Sequence, residues 1–225
     1  SVRDVLGKIR FHGLTARPSK VFAGFQELEF LGHIVGAGSM KPEASKMKKI
    51  LSVGTPQTKK QVRSVLGLFS YYRRYVPNFS ALTYPLTELT KSDKSKHVVW
   101  TEECDKALKT VQEILSSKPV LVLPDLSKEF VVRTDASSSG IGAALLQEHD
   151  GLLHPVLYAS RKLLDRETRY STVERECLAV VWSVTKFSRY LYGQDFILQT
   201  DHKPLLYLKQ SVHKNARLMR WSLAL

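Results

Sequence analysis

The sequence predicts an α+β/α/β protein: a small basic helical unit followed by a mixed sheet with helices packed on it. Three observations predict this. Residues 39–118 repeat apolar positions at helical spacing and set lysines and arginines opposite them. From Pro119 the pattern changes to short runs rich in β-formers, "PVLVLPDLSKEFVVRTD", "ALLQEHDGLLHPVLYAS" and "DFILQTD", with one long helical pattern between the last two. A chain of 225 residues that is 43% hydrophobic also has enough apolar surface for one or two cores.

The elements follow in order. Val2, Val5, Leu6 and Ile9 keep helical spacing, and Gly13 is placed to end that helix. Glu27 to Val35 alternates, with Leu28, Phe30 and Ile34 on one face, and reads as a strand or hairpin arm; Gly36 and Gly38 make the turn after it. From Pro42 the period is helical again, with Ala44, Met47, Ile50 and Leu51 on one side. Thr58 and Gln61 form a capping-box signature. Val62, Val65, Leu66, Phe69, Tyr72 and Val76 then make one stripe, closed by Pro77, with Lys59, Lys60, Arg63, Arg73 and Arg74 facing out. Tyr71 and Tyr72 divide between groove and core. Thr101 starts a helix with Cys104, Ala107, Leu108, Val111 and Leu115 inward. In the sheet half, one helix is expected over 173–191 and another over 217–225. Trp100, Trp182 and Trp221 are expected in cores.

Charge narrows the function classes. Lys and Arg number 34 against 21 Asp and Glu, a net charge of +13. The excess is uneven: residues 1–118 hold 20 basic and 10 acidic side chains, and between Gly38 and Asn78 there are nine basic residues and one acidic, Glu43. So one-sided a surface favours a polyanion, most simply nucleic acid. No run of about 18 apolar residues offers a membrane span. The two cysteines, Cys104 and Cys177, lack disulfide or metal-ligand spacing, which suits an intracellular setting.

The carboxylates are more specific. Phe130-Val131-Val132 runs into Thr134-Asp135, and Phe196-Ile197-Leu198 runs into Thr200-Asp201. An Asp at a strand's end is usually a turn former. Two such strands, if neighbours, would deliver both carboxylates to one sheet edge, where like charges repel unless a cation or proton intervenes. Hard oxygen ligands suit Mg²⁺. A third carboxylate would come from the helix between, which offers Glu174 and Glu176. At about 100° per residue, Glu176 lies roughly 60° from the centre of the apolar stripe and Glu174 roughly 100° on the other side. Ser171 and Glu174 also make a capping box. Glu176 is therefore assigned to the site and Glu174 to the cap.

"TDASSSGIGAALLQ", "YASRKL", "YSTVERECLAVVW" and "YLYGQDFILQTDHKPL" resemble the ribonuclease H domain of gypsy-type LTR retrotransposon reverse transcriptases. "GLTARPSKVFAGFQELEFLGHIV" is similar to the end of that family's polymerase palm and its primer-grip hairpin, and "RSVLGLFSYYRRYVPNFS" to its thumb. The resemblance implies three parts: residues 1–38 as the end of the palm, 39–118 as the thumb, and 119–225 as the ribonuclease H-like domain. Phe30, Leu31, Gly32 and His33 would be primer-grip-like. Asp135, Glu176 and Asp201 match the family's first three acidic ligands. They would hold two Mg²⁺ ions about 4 Å apart, with Mn²⁺ as a substitute, one activating water and the other stabilising the leaving 3′ oxygen. Ser137, Ser138, Ser139 and Gly140 would let a sugar–phosphate backbone approach, and recognition of RNA would rest on its 2′-OH groups. The implied partners are an RNA–DNA hybrid, a template–primer duplex and the rest of a polyprotein, including fingers, palm and integrase. No membrane partner is implied, and the setting the resemblance implies is intracellular, expected in cytoplasmic virus-like particles with room for a nuclear stage.

Departures from the family pattern accompany the match. From His202 to Leu225 there is no Asp or Glu, so the family's fourth acidic ligand is expected beyond the last residue. No Asp-Asp pair occurs, so the polymerase motif is expected before the first. Val21 stands where the family often has Cys, and a buried apolar role is expected for it. The rival reading is a catalytically silent nucleic-acid-binding remnant. His202 and His213 read as solvated or core residues near the site.

Overall fold

The computed structural model describes residues 2–91, 97–117 and 119–201. The expected helix at 217–225, and with it His202, His213 and Trp221, lies outside them. The architecture is mixed α+β, as the sequence patterns require. The opening helix α1, Val2–Phe11, buries none of its residues and is followed by Gly13 at φ +65°.

Two tight turns build the first sheet. β1, Glu27–Phe30, pairs antiparallel with β2, His33–Gly36, and β2 with β3, Ser39–Pro42. The alternating run from Glu27 to Val35 is thus broken at Leu31-Gly32, where both residues have positive φ, as have Ala37 and Gly38 in the next turn. Such turns match the twist of the flanking strands. A short strand β4, Leu121–Val122, pairs with β3, giving the order β1-β2-β3-β4. The boundary read at residue 38 therefore falls inside a turn, and residues after Pro119 complete a sheet begun before it.

The helical unit contains α2, Ala44–Leu51; α3, Lys59–Tyr71; α4, Phe79–Leu82; α5, Tyr84–Glu88; and α6, Glu102–Ser116. At the start of α3 the Thr58 hydroxyl accepts from the Gln61 N–H (3.3 Å), and Gln61 Oε1 accepts from the Thr58 N–H (3.0 Å). The apolar stripe to Val76 is not one helix. α3 ends at Tyr71, and Arg73–Tyr75 form a separate 3₁₀ turn. Pro77 ends the 3₁₀ turn: the residue before a proline is driven out of the helical region, and Val76 is extended at φ −112°, ψ 113°. Ile50, Phe69, Tyr72, Tyr75, Val111 and Leu115 pack into one core with Leu121 of β4.

The second sheet has the order β7-β6-β5-β8. Its strands are β5, Phe130–Ala136; β6, Gly140–His149; β7, Leu152–Lys162; and β8, Phe196–Gln199. Strands β5, β6 and β7 are antiparallel neighbours, whereas β5 and β8 run parallel. The helix expected over 173–191 is two: α7, Thr172–Lys186, and α8, Ser188–Leu191, with a break at Phe187. The break turns Phe187 and Leu191 together onto Phe130 and Val132. Cys104 and Cys177 are buried and free. Trp100 and Trp182 pack against cores, whereas Val21, expected to be buried, is 48% exposed. No helix among the described residues is long and apolar enough to cross a membrane.

The two halves pack together. α4 lies against β6 and β7. The Ser80 N–H donates to Ser160 Oγ (2.9 Å), the Arg73 guanidinium donates to the Ser160 carbonyl, and Lys162 Nζ meets Glu88 Oε1 at 2.7 Å.

Candidate active site

Register places two carboxylates at one end of the second sheet. Val131 lies beside Ile197, Val132 beside Leu198 and Arg133 beside Gln199. Asp135 and Asp201 each follow two residues after that last pair and so lie at the same end of the sheet, Asp135 within β5 and paired with Gly142 of β6, Asp201 just past β8. Both aspartates are exposed.

Glu176 sits on α7, which packs on β5 and β6, and is only 6% exposed. Its Oε2 has no hydrogen-bond partner among the described residues. Burial, then the charges of Asp201 and Asp135, push its carboxyl up to about 7, against the opposing pull of Arg175. Two residues earlier, Glu174 does something else. The Ser171 hydroxyl accepts from the Glu174 N–H (3.3 Å), and Glu174 Oε2 accepts from the Ser171 N–H (2.9 Å). The two glutamates are therefore divided as the helix geometry requires.

The donor set is all oxygen and anionic, which is the chemistry a hard divalent cation takes. The orphaned buried Glu176 oxygen fits such an ion. Among the described residues, however, no three His, Cys, Asp or Glu side chains converge closely enough to enclose a metal. Asp135 Oδ2 accepts a hydrogen bond from Asn78 Nδ2 (2.8 Å), a residue of the helical unit. In the sequence Asn78 is only the polar residue after Pro77; nothing local marks it as a neighbour of Asp135, 57 residues away.

The small residues after Asp135 have an internal cause. Ser137 Oγ accepts from the N–H groups of Ser139 (3.2 Å) and Gly140 (3.0 Å), and the Ser137 N–H donates to the Gly140 carbonyl (2.8 Å). A β-carbon at Gly140 would press on the Arg161 carbonyl. Ser138 is exposed, Ser137 and Ser139 are half-buried and Gly140 is buried. The turn accounts for Ser137 and Gly140, which leaves Ser138 as the exposed residue of this turn.

Of the five outward cations, three are tied to backbone carbonyls. Lys59 Nζ donates to Lys91 O (2.5 Å), Arg63 to Thr90 O (3.0 Å), and Arg73 to Ser160 O, with its guanidinium 5.6 Å above the Phe79 ring. Lys60 and Arg74 are exposed. The hairpin carries an apolar tip, with Phe30 59% and Leu31 69% exposed. Behind it His33 stacks on Tyr71 at 5.5 Å, and its Nδ1 shares a 2.9 Å hydrogen bond with the Tyr75 hydroxyl. The Tyr71 and Tyr72 hydroxyls donate to the carbonyls of Leu31 and Gly32, so three tyrosines brace the tip. Tyr71 is half exposed and Tyr72 buried.

Residues 125–225 match the RNase H-like domain found in reverse transcriptase. The chain is 38% identical over 200 residues to the retrovirus-related Pol polyprotein from transposon 297 of Drosophila melanogaster, covering 89% of this chain and 18% of that one. It is 38% identical over 207 residues to the polyprotein from transposon gypsy of the same fly, covering 87% and 20%. The chain thus spans about a fifth of the length of these relatives. Its fold matches the foamy viral protease-reverse transcriptase in complex with RNA/DNA hybrid with a TM-score of 0.68 at 24% identity, over 88% of this chain and 27% of that one.

Proposed function

We infer the function from one premise: residues 125–225 are an RNase H-like domain of reverse transcriptase, in a chain homologous to Pol polyproteins of gypsy-type transposons. On that premise the domain hydrolyses the RNA strand of an RNA–DNA hybrid, and the helical unit grips the duplex. The observation that carries this is the parallel pairing of β5 and β8, which puts Asp135, near the end of β5, and Asp201, just past β8, at one end of the sheet, where both charges act on the buried Glu176. Asp135, Glu176 and Asp201 would hold divalent cations, Mg²⁺ by their oxygen chemistry. Bound cations supply an activated water and a stabilised leaving oxygen. The protein supplies the fixed carboxylates, a buried glutamate whose charge a nearby cation would favour, and exposed cations at Lys60 and Arg74 that hold phosphates without reading sequence. The exposed apolar faces of α1 and of the Phe30-Leu31 tip suit contact with the rest of a polymerase, in keeping with relatives about five times longer.

The test is cleavage of a labelled RNA–DNA hybrid in Mg²⁺, by the chain extended through the sequence that follows it in its polyprotein. Asp135→Asn is expected to abolish cleavage and leave hybrid binding within a few-fold. Absence of cleavage in the unmutated extended chain refutes the reading. It would favour the alternative of a silent nucleic-acid-binding module, for which the lack of three converging ligands among the described residues is the supporting observation.

A further inference from the structure

Asn78 stands at the junction of the two halves. It precedes α4 in the left-handed region, φ +47°, ψ 34°, a conformation asparagine adopts more readily than most residues. Its side chain makes no cap bond to α4, although asparagine is among the best capping residues. Instead Nδ2 donates to Asp135 Oδ2 at 2.8 Å. The other end of the amide is also specified. Gly142 pairs directly with Asp135 across β5 and β6, and a β-carbon there would overlap Asn78 Oδ1. The atoms nearest that absent β-carbon all belong to Asn78. A glycine in the middle of a strand weakens it, so its presence marks the close approach of another group. Here that group is the amide. The same residues, with Pro77, Arg133 and Tyr158, line a cleft of about 290 Å³ between the halves.

We propose that Asn78 is a positioning residue for Asp135, so that the helical unit, when docked, sets the orientation of a metal-binding carboxylate. The donor type supports this role. A lysine or arginine at this point would neutralise Asp135 and compete with a cation, whereas a neutral amide fixes one oxygen and leaves the charge and the remaining lone pairs in place. Gly142 serves as the seat that lets the amide reach across. The inference rests on the proposed nuclease reading and adds to it a dependence of the site on the docked helical unit.

The experiment is Mn²⁺ binding to the full chain, followed by electron paramagnetic resonance, with the urea unfolding midpoint measured alongside. Asn78→Gly keeps the left-handed backbone and removes only the amide, and it is expected to weaken Mn²⁺ binding by roughly 10- to 100-fold, as removal of such supporting partners typically does. Gly142→Ala is expected to weaken it similarly by displacing the amide. The double variant should be no weaker than Asn78→Gly alone, because the clash is then gone and the residue 78 α-carbon lies at an ordinary contact distance of 3.9 Å. A purely structural contact would move the unfolding midpoint and give additive losses. Affinity within twofold of the unmutated chain in Asn78→Gly, or tighter binding, overturns the proposal. Asp135→Asn separates the two readings. If it leaves Mn²⁺ binding unchanged, the metal site itself is refuted and this inference with it; if it abolishes binding while Asn78→Gly does not, this inference alone fails.

Discussion

Glu176→Gln should make the protein more stable at pH 8. Glu176 is 6% exposed, one of its oxygens has no partner among the described residues, and burial with the nearby charges of Asp201 and Asp135 lifts its carboxyl from 4.5 to about 7. The sign follows from proton counting. Between the two values the folded chain holds the proton that the unfolded chain has released, so stability falls as pH rises through this window and levels off above it. The full difference corresponds to at most about 3 kcal/mol at pH 8, and to nothing below about pH 4. Glutamine has the shape of the protonated acid and cannot ionise, so the variant should match the original near pH 4 and exceed it by about 2–3 kcal/mol at pH 8. The assay is urea unfolding of both proteins at pH 4, 6 and 8, read as their difference so that other titrations cancel. Millimolar Mg²⁺ should then stabilise the original protein at pH 8 and Glu176→Gln much less, because a ligand of the folded state stabilises it by mass action. A difference that does not change with pH, or that reverses, refutes the claim that Glu176 is an uncompensated buried acid facing Asp135 and Asp201.

Three other outcomes rest on single caps, pairs or surface charges. Glu174→Gln weakens the cap of α7, so it should cost less than about 1 kcal/mol in thermal or urea unfolding and leave hybrid cleavage in the extended chain unchanged. Glu167 is 4% exposed and takes both terminal nitrogens of Arg161, at 2.6 and 3.0 Å, with the Leu164 N–H; Glu167→Ala should cost about 3–5 kcal/mol in unfolding because it strands a partly buried guanidinium. Replacing Lys60 and Arg74 with glutamine should lower the salt dependence of hybrid binding, reducing the slope of log K against log salt by about one for each phosphate no longer neutralised, with cleavage per bound hybrid unchanged.

The site was more legible than the frame around it. Short-range chemistry exposed the two Thr-Asp strand ends, the Ser171–Glu174 cap and the Thr58–Gln61 cap, because each is written within a few neighbouring residues. The inward turn of Glu176 followed from helical period alone. The breaks were harder. Leu31-Gly32 sits inside an alternating run, and the Val62–Val76 stripe hides the end of the helix at Tyr72, although Pro77 could have signalled that Val76 must be extended. Phe187 looks like another stripe position, and only packing onto Phe130 and Val132 makes it a bend. The contact from Asn78 to Asp135 was illegible for a different reason: it joins two halves, and no local rule reports which surfaces meet. The small residues after Asp135 suggested an approaching substrate, whereas Ser137 and Gly140 are small because their own turn and the Arg161 backbone leave no room.

The strip between the halves has a further consequence. β4 is bound to β3 at one end, and β5 begins only a few residues later, at Phe130. In between, the buried amide of Gln147 holds the loop by accepting from the Asp125 N–H (2.9 Å) and donating to the carbonyls of Asp125 (2.7 Å) and Lys128 (3.2 Å). A tether so short and so clasped has almost no slack. If one half grips a duplex and the other cuts it, the interval between grip and cut is a built-in ruler. Its graduation would be set by residues 123–129, and lengthening that loop should shift where along the strand the scission falls.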